Sequence, residues 1–435
     1  MNRVWLIIFG DFIAFWVSFI LLILIRFGVK NYSFAVHEHI VPFIILFLSW
    51  ILIFYIFGLY DLISIKPTIP YLKRWVIALI CSFAIGIILF YFVSIFGISP
   101  KINLIIQVIG FSIFSFLFRR VIYTLFSKTI TQPTILIGNS EYLLNLEKTI
   151  RTNPQTGLRI IKHLENINDL TLDLEDIKNV IIILDTSAKT EDENILNLYK
   201  KGVEVIDTAK AYERFLQKIP IGYALSTWIL DNINKDEDVA YKITRRIMDI
   251  TISLLILIIA SPFLIITIIA LLIEDGRPTF YKQKRVGKNG KVFNLYKFRS
   301  MVVLAPDGSA ETSEAKWSTG HDDPRITSVG KIIRRLHIDE IPQVINILKG
   351  DISLVGPRPE RPEFVISLEN TIPHYKLRHI IRPGFTGWAQ IKYRYANTIE
   401  TSKEKFEYDL YYIKNRNIFL DFGIILRTIQ IIFTH

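Results

Sequence analysis

Cysteine is almost absent, with Cys81 the one thiol among 435 residues. That excludes a disulfide framework and a cysteine-based zinc site, and the position of Cys81 inside an apolar run reads as inert filling. Charge is sparse at 21%, and acid is the scarcer sign, with 40 Asp and Glu against 51 Lys and Arg, a net of +11. Hydrophobic residues make up 51% and the mean hydropathy is +0.36, a balance that excludes a disordered chain. The apolar residues lie in long uncharged blocks, which excludes an ordinary water-facing fold. The length corresponds to about three domains and needs no metal or disulfide to complete a core.

Val4 to Ile25 is apolar apart from Asp11, and Ile40 to Tyr60 and Trp75 to Ser99 carry no charge. Ile102 to Phe118 is shorter but continues apolar beyond Arg119 and Arg120. Residues 1–128 are therefore expected to form a membrane α-helical N-terminal bundle of four transmembrane helices. Arg26 and Phe27 stand where a signal peptide needs small residues, so the first helix is expected to be retained. One set of alternate flanks holds Arg3, Lys66, Lys73, Arg74, Arg119, Arg120 and Lys128, while the other holds Arg26, Lys30 and Lys101. Positive-inside bias places the N-terminus and everything after Lys128 in the cytoplasm.

From Thr134 the pattern changes to short β-rich runs, Thr134 to Gly138, Val180 to Leu184 and Val203 to Ile206, separated by segments of helical spacing. This is a βαβ series, and residues 131–219 are expected to form a Rossmann-like α/β middle domain followed by a linker over 220–240. Asn139, Ser140 and Glu141 follow Gly138 where a dinucleotide fingerprint has further glycines, so a structural or regulatory role is favoured over cofactor binding.

Ile250 to Ile273 is a fifth apolar block with Ser261 and Pro262 at its middle. Proline removes a helical hydrogen bond and bends the chain, and each arm of about twelve residues reaches ~18 Å into a hydrocarbon core of ~30 Å. Lys242, Arg245 and Arg246 precede the block, and Arg277, Lys282, Lys284, Arg285, Lys288 and Lys291 follow it. Basic flanks on both sides favour a re-entrant helix-break-helix over 247–273 above a kinked span. The Ser261 hydroxyl is a candidate partner for backbone groups freed at the break.

Between Arg277 and Arg299 there are eight basic residues and no acidic one. Attraction to anionic headgroups explains some of them. Val292 to Met301 reads as a strand whose period of two puts Lys297 and Arg299 on one face, a pair suited to a phosphate-bearing ligand. In Arg334 to Gln343, Pro342 is tolerated only in the first turn of the following helix. Asp339 and Glu340 then lie at a helix N-terminus, where the dipole favours an ionised carboxylate and free N–H groups favour phosphate oxygens. Asp is also an ordinary N-cap, but cations beside it make an attack on phosphorus chemically reasonable. Glu340 is a candidate Mg²⁺ ligand. Arg358, between Pro357 and Pro359, is an oriented anion ligand. A second turn sequence, Arg382 to Trp388, could wall a nucleoside or sugar. His321, His337, His374 and His379 lack metal-ligand spacing, and Ile418 to Phe433 reads as an interfacial helix.

Taken together, the parts resemble the bacterial sugar transferases, monotopic polyprenyl-phosphate phosphoglycosyl transferases in their long form with four N-terminal spans. The likeness covers the order of parts and, within Tyr241 to Gln430, rests on Ser261-Pro262, Arg285-Val286-Gly287, Tyr296 to Met301, Asp323 to Thr327, Asp339 to Gln343, Leu354 to Glu360 and Pro383 to Trp388. The resemblance implies a mixed α/β catalytic domain over 241–435 in a multi-pass protein of the bacterial inner (cytoplasmic) membrane. It implies ping-pong transfer of hexose 1-phosphate, glucose or galactose being expected, from a UDP-sugar to undecaprenyl phosphate with release of UMP, initiating polysaccharide synthesis. By the same likeness Asp339 is the nucleophile, Glu340 helps hold Mg²⁺, Arg334 and Arg358 bind phosphates, and Arg325 and Glu360 belong with the phosphate- and substrate-binding residues. Leu336-His337 stands where such enzymes commonly have Thr-Ser. A homodimer could use the spans and middle domain, which exceed the catalytic minimum.

Two other readings compete. A membrane glycosyltransferase releasing UDP would want an Asp-x-Asp motif, whose letters occur in Asp236-Glu237-Asp238, a run better read as solvated linker. A non-catalytic metabolite sensor would leave the phosphate-binding constellation after Arg277 unexplained. Nucleic-acid binding is not expected, because juxtamembrane charge accounts for the basic excess.

Overall fold

A computed structural model describes residues 3–61, 65–92, 101–170, 179–185, 188, 192–223, 239–302, 325–393 and 398–433. His321, Asp323, Pro324 and Asp236 to Asp238 lie outside the described residues. The chain divides into two compact units, Met1–Ala211 and Tyr212–His435.

The first unit opens with four helices, α1 (Arg3–Phe27), α2 (Tyr32–Ile56), α3 (Ile69–Phe92) and α4 (Lys101–Thr124). All four are long and apolar enough to cross a membrane. The second starts earlier than its uncharged run because Pro42 is accommodated inside the helix. Rings fill the bundle core: Trp50 lies 5.3 Å from Phe15 and 5.1 Å from Phe111, centroid to centroid, and its indole N–H donates to Ser82 O at 2.9 Å. A Cβ on Gly110 would come within 2.8 Å of Ser18 Cβ, so α1 and α4 pack at a distance that only a small residue permits.

Arg119 corrects the flank count made from the sequence. It is an interior residue of α4, 3% exposed, and pairs with Asp11 of α1, itself 1% exposed. Its guanidinium also donates to Leu59 O at 2.7 Å, while Ser115 Oγ donates to Asp11 at 2.7 Å. Neither Asp11 nor Arg119 is therefore a solvated residue at a membrane surface, and the remaining flanking cations still favour the same side.

Beyond the helices, β1 (Gln132–Ile137), α5 (Glu141–Thr152), β2 (Leu158–Leu164), β3 (Ile181–Leu184), α6 (Asp192–Lys200), β4 (Glu204–Asp207) and α7 (Thr208–Ala211) complete the unit. The strands form one parallel sheet in the order β2-β1-β3-β4. Strand β2 is absent from the sequence reading because Arg159, Lys162 and His163 dilute its apolar residues, as an edge position allows. Ser140 caps α5, accepting from Leu143 N at 3.2 Å, and donates to the buried Asp185 carboxylate at 2.9 Å. A carboxylate thus stands at the turn where a dinucleotide fold presents its phosphate cradle.

The second unit contains α8 (Val239–Asp275), β5 (Phe280–Val286), β6 (Val292–Phe298), α9 (Ser328–Arg335), α10 (Val344–Lys349), β7 (Ser353–Val355), α11 (Pro362–Thr371), β8 (Gly384–Thr386), α12 (Trp388–Lys392), α13 (Ile399–Asn415) and α14 (Ile418–Phe433). Strands β5 and β6 form an antiparallel hairpin, and β7 and β8 a parallel pair. A core of Leu295, Ile347, Ile352, Leu354, Trp388, Tyr412 and Ile424 joins them. Residues 212–223, expected to close the middle domain and open the linker, pack here instead: Ile219 and Ile221 cluster with Leu368 and Phe406.

The two arms expected in the fifth apolar block are one helical element of 37 residues with Pro262 inside it. Proline leaves Ile258 O without its amide donor, and Ser261 Oγ donates to that oxygen at 2.8 Å. Helical structure runs through Pro262, with the adjacent hydroxyl serving the oxygen that lacks its amide donor. Both ends of α8 are tied to the same unit. Near its start Asp249 accepts from Ser353 Oγ and Leu354 N at 2.8–2.9 Å, and near its end Glu274 accepts from Val329 N at 3.0 Å. Between these ties Ile258, Ile259, Ile265 and Ile266 are exposed, an uncharged surface suited to lipid.

The buried pair of the first unit carries a prediction. Removing one partner strands the other charge, so Arg119→Leu should destabilise the bundle by ~3–5 kcal/mol, and Asp11→Leu/Arg119→Leu together by clearly less. Chemical unfolding in detergent micelles checks this through the coupling between the two sites.

Candidate active site

Helix α9 is capped by Thr327, whose Oγ1 accepts from Gly330 N at 2.9 Å. It ends at Leu336, and His337 then adopts a left-handed conformation with φ 54°. That residue turns the chain into a 3₁₀ segment, Ile338–Gln343, which leads directly into α10. Asp339 and Glu340 occupy the first turn of this entry, with Pro342 inside it, where its missing N–H is harmless. The placement follows the sequence expectation, with a 3₁₀ turn substituting for an α-helical one.

The two adjacent carboxylates have opposite surroundings. Glu340 Oε1 accepts from Lys297 Nζ and Arg358 Nη2, each at 2.7 Å. Burial alone would raise its pKa, but Arg358 and Lys297 hold it well below the usual glutamate range. No described residue bonds Oε2. Asp339 is 9% exposed, and its carboxylate hydrogen-bonds to no described residue. Burial and the Glu340 charge push its pKa above the ordinary aspartate value, against the pull of Lys297, Arg334 and His337. This corrects the expectation that the helix dipole and nearby cations favour its charged form: Glu340 takes up the cations, and desolvation dominates at Asp339.

The cations come from separate elements. Lys297 is on β6, Arg334 on α9 and Arg358 on the loop after β7. Arg334 is half-buried and lies close enough to act on Asp339 electrostatically, with no hydrogen bond from its guanidinium to a described residue. Arg358 gives Nη2 to Glu340, and its other nitrogens donate to no described residue. These three surround the carboxylate pair, and together they present donors to an anion placed against Asp339.

Of three other residues singled out from the sequence, Arg299 and Glu360 are bonded elsewhere. Arg299, expected to share a ligand face with Lys297, is 4% exposed and donates to Gly276 O at 3.0 Å. It closes the end of α8 because β6 ends at Phe298 and the alternation no longer applies beyond it. Arg325 is half-buried, and its carbonyl accepts from Val302 N at 2.9 Å. Glu360 is not directed at the carboxylate pair. It is held at 2.7 Å by Lys405 and lies 3.8 Å from Arg285 and 3.9 Å from Arg378. Burial opposes ionisation there, but Lys405, Arg378 and Arg285 hold its pKa at about 2.

That cluster contains residues which the sequence reading missed. Arg378 donates to Arg358 O and to Asp409 Oδ2, both at 3.0 Å, and Arg285 donates to Pro359 O at 3.0 Å. With Glu360 they grip the loop backbone at Arg358 and Pro359 and orient the Arg358 guanidinium. Arg378 and Asp409 are only 2% exposed. They carry no spacing signal, because they meet across α13 and the segment after α11.

The family model described as Bacterial sugar transferase matches residues 240–435. An N-acetylgalactosaminephosphotransferase of Aeromonas hydrophila, named as acting between UDP-N-acetylgalactosamine and undecaprenyl phosphate, is 42% identical over 45% of this chain and 44% of its own length. The uncharacterized sugar transferase EpsL of Bacillus subtilis (strain 168) is 40% identical over 43% of this chain and 86% of its own length. The UDP-glucose:undecaprenyl-phosphate glucose-1-phosphate transferase of Escherichia coli (strain K12) is 36% identical over 43% of this chain and 40% of its own length. The chain thus spans less than half of the first and third relatives, and the family match over residues 240–435 includes Lys297, Arg334, Asp339, Glu340 and Arg358. On the matched residues and the near-complete coverage of the Bacillus protein, the chain belongs to the bacterial sugar transferase family.

Proposed function

We propose that this enzyme is a phosphoglycosyl transferase that moves a sugar 1-phosphate from a UDP-sugar to undecaprenyl phosphate through a covalent intermediate on Asp339. The observation that carries the proposal is the division of labour in the adjacent pair, one carboxylate paired through Oε1 with two cations and its neighbour desolvated and hydrogen-bonded to no described residue. A carboxylate without donors has its lone pairs free for attack. An Asp339 oxygen attacks the β-phosphorus, the bond from that phosphorus to the bridging oxygen breaks, and UMP leaves with the bridging oxygen. An oxygen of the lipid phosphate then attacks the same phosphorus, the aspartyl oxygen–phosphorus bond breaks, and the carboxylate is restored. Arg334 and Arg358 offset the charge that builds on the transferred phosphoryl group.

Mg²⁺ fits the donor set. It needs one or two carboxylates plus substrate phosphates, and Glu340 Oε2 is the open oxygen beside an oxygen already fixed by two cations. The ion would supply charge neutralisation at the diphosphate. The names of the relatives support glucose or N-acetylgalactosamine as the sugar, which adds an acetamido sugar to the hexoses expected from the sequence.

The membrane arrangement follows from α8. A straight helix of 37 residues would be ~55 Å long, against a hydrocarbon core of ~30 Å. Both of its ends are bonded to one unit, whose active-site residues must meet a soluble donor. A re-entrant course, entering and leaving the cytoplasmic face of the inner membrane, satisfies both ties and keeps the basic flanks on one side. Exposed Phe419 and Phe422 on α14 would then lie in the interface.

Three outcomes are expected. With Mg²⁺, undecaprenyl phosphate and a panel of UDP-sugars, the purified protein should liberate UMP, and Asp339→Asn should reduce this to background; release of UDP would favour the glycosyltransferase reading. Arg358→Ala should lower kcat/KM by about 10- to 150-fold, the loss of a charge-assisted bond of ~1.5–3 kcal/mol, and chelation by EDTA should stop turnover reversibly. In a Cys81→Ser background, single cysteines at Lys242 and Lys284 should both react with an impermeant maleimide from the cytoplasmic side alone; reaction from opposite sides would establish a crossing helix.

A further inference from the structure

A second basic cavity, of about 270 Å³, lies in the same unit and shares no residue with the Asp339 site. Its lining includes Lys242, Arg245, Arg246 and Asp249 from the start of α8, Lys288 from the β5–β6 turn, and Arg382 from the loop before β8. Five cations and one carboxylate therefore line it, and a second carboxylate, Asp421, lies 3.8 Å from Arg245. The lining carboxylate is already occupied, since Asp249 accepts from Ser353 Oγ and Leu354 N.

The floor is built and the rim is free. Arg245 is 8% exposed and is fixed by bonds to Ser353 Oγ at 3.1 Å and to Val355 O, while its Nη1 donates to no described residue. Arg246 is fixed by Ile347 O and Leu348 O at 2.7 and 2.6 Å, the last carbonyls of α10. Lys288 and Arg382 are exposed, and their side chains make no hydrogen bond or ion pair with a described residue. Immobilised guanidinium below and uncommitted cations above form a receptor for a multivalent oxyanion. At 100° per residue, Ile243 and Ile247 are one step around the helix from Lys242 and Arg246, and they are 57% and 59% exposed. An apolar surface thus adjoins the basic stripe.

We infer that this cavity is a second anion site, taking the phosphate group of a ligand that is not the one undergoing reaction at Asp339. The chemistry is that of a phosphate monoester or diester, supplied by a lipid headgroup or by a soluble phosphate. The inference does not depend on the reaction proposed above.

The test uses the full chain in nanodiscs of neutral phosphatidylcholine, titrated calorimetrically with dihexanoyl-phosphatidylglycerol and, separately, with inorganic phosphate. Lys288→Ala/Arg382→Ala should weaken binding about 30-fold, which is about 2 kcal/mol at 1.4 kcal/mol per tenfold. Lys288→Arg/Arg382→Lys should restore it, and Lys284→Ala, on exposed β5, should bind as the parent does. Repeating the pair in an Arg358→Ala background removes the contribution of the Asp339 site. A loss confined to phosphatidylglycerol identifies a lipid headgroup, a loss confined to inorganic phosphate identifies a soluble ligand, and loss of both identifies a site open to either. Undiminished binding of both probes by the double variant, or no binding of either by the parent, overturns the inference.

Discussion

The site depends on one electrostatic contact, the Glu340 carboxylate shared between Lys297 and Arg358. It joins three elements that are remote in sequence: strand β6, the 3₁₀ turn and the loop after β7. It also decides the state of the neighbouring residue. Adjacent buried carboxylates compete for the same cations, and once Glu340 has taken two of them Asp339 is left desolvated, with no donor among the described residues. The surroundings of one carboxylate are thus set by the ion pairs of the next.

The surrounding structure serves that contact. Arg358 is held by a buried network in which Arg378 and Arg285 grip the backbone of its loop and Glu360 anchors the grip to Lys405. Buried charges of this kind tolerate no missing partner, so the loop has one low-energy position. Farther along, the ties of Asp249 and Glu274 bind α8 to the unit that carries Asp339. Soluble chemistry and membrane surface are thereby fixed to each other by side chains instead of by a flexible linker.

Much of this was legible from the sequence because it depends on local chemistry. Pro342 marks the first turn of a helix, so Asp339 and Glu340 could be placed at its start, and long uncharged runs mark the membrane helices. The Ser261 hydroxyl is legible as a partner for the backbone beside Pro262, and it bonds Ile258 O. What was not legible depends on tertiary proximity. Arg119 read as a flanking charge because Asp11, its partner, lies on the opposite end of the bundle sequence. Lys297 and Arg299 shared a predicted face, yet one reaches Glu340 and the other Gly276 O, because the strand ends between them. Glu360 resembled a ligand residue, and only the meeting of Lys405, Arg285 and Arg378 shows it as a support for Arg358. Strand β2 was hidden by its own charged residues.

The most direct test of the central claim is intact-protein and peptide mass spectrometry after incubation with Mg²⁺ and UDP-sugar in the absence of lipid acceptor. The account predicts a mass increase of one sugar phosphate on the peptide containing Asp339, with stoichiometric UMP, discharged when undecaprenyl phosphate is added. No adduct, with UMP appearing only when both substrates are present, would mean direct transfer and would contradict it.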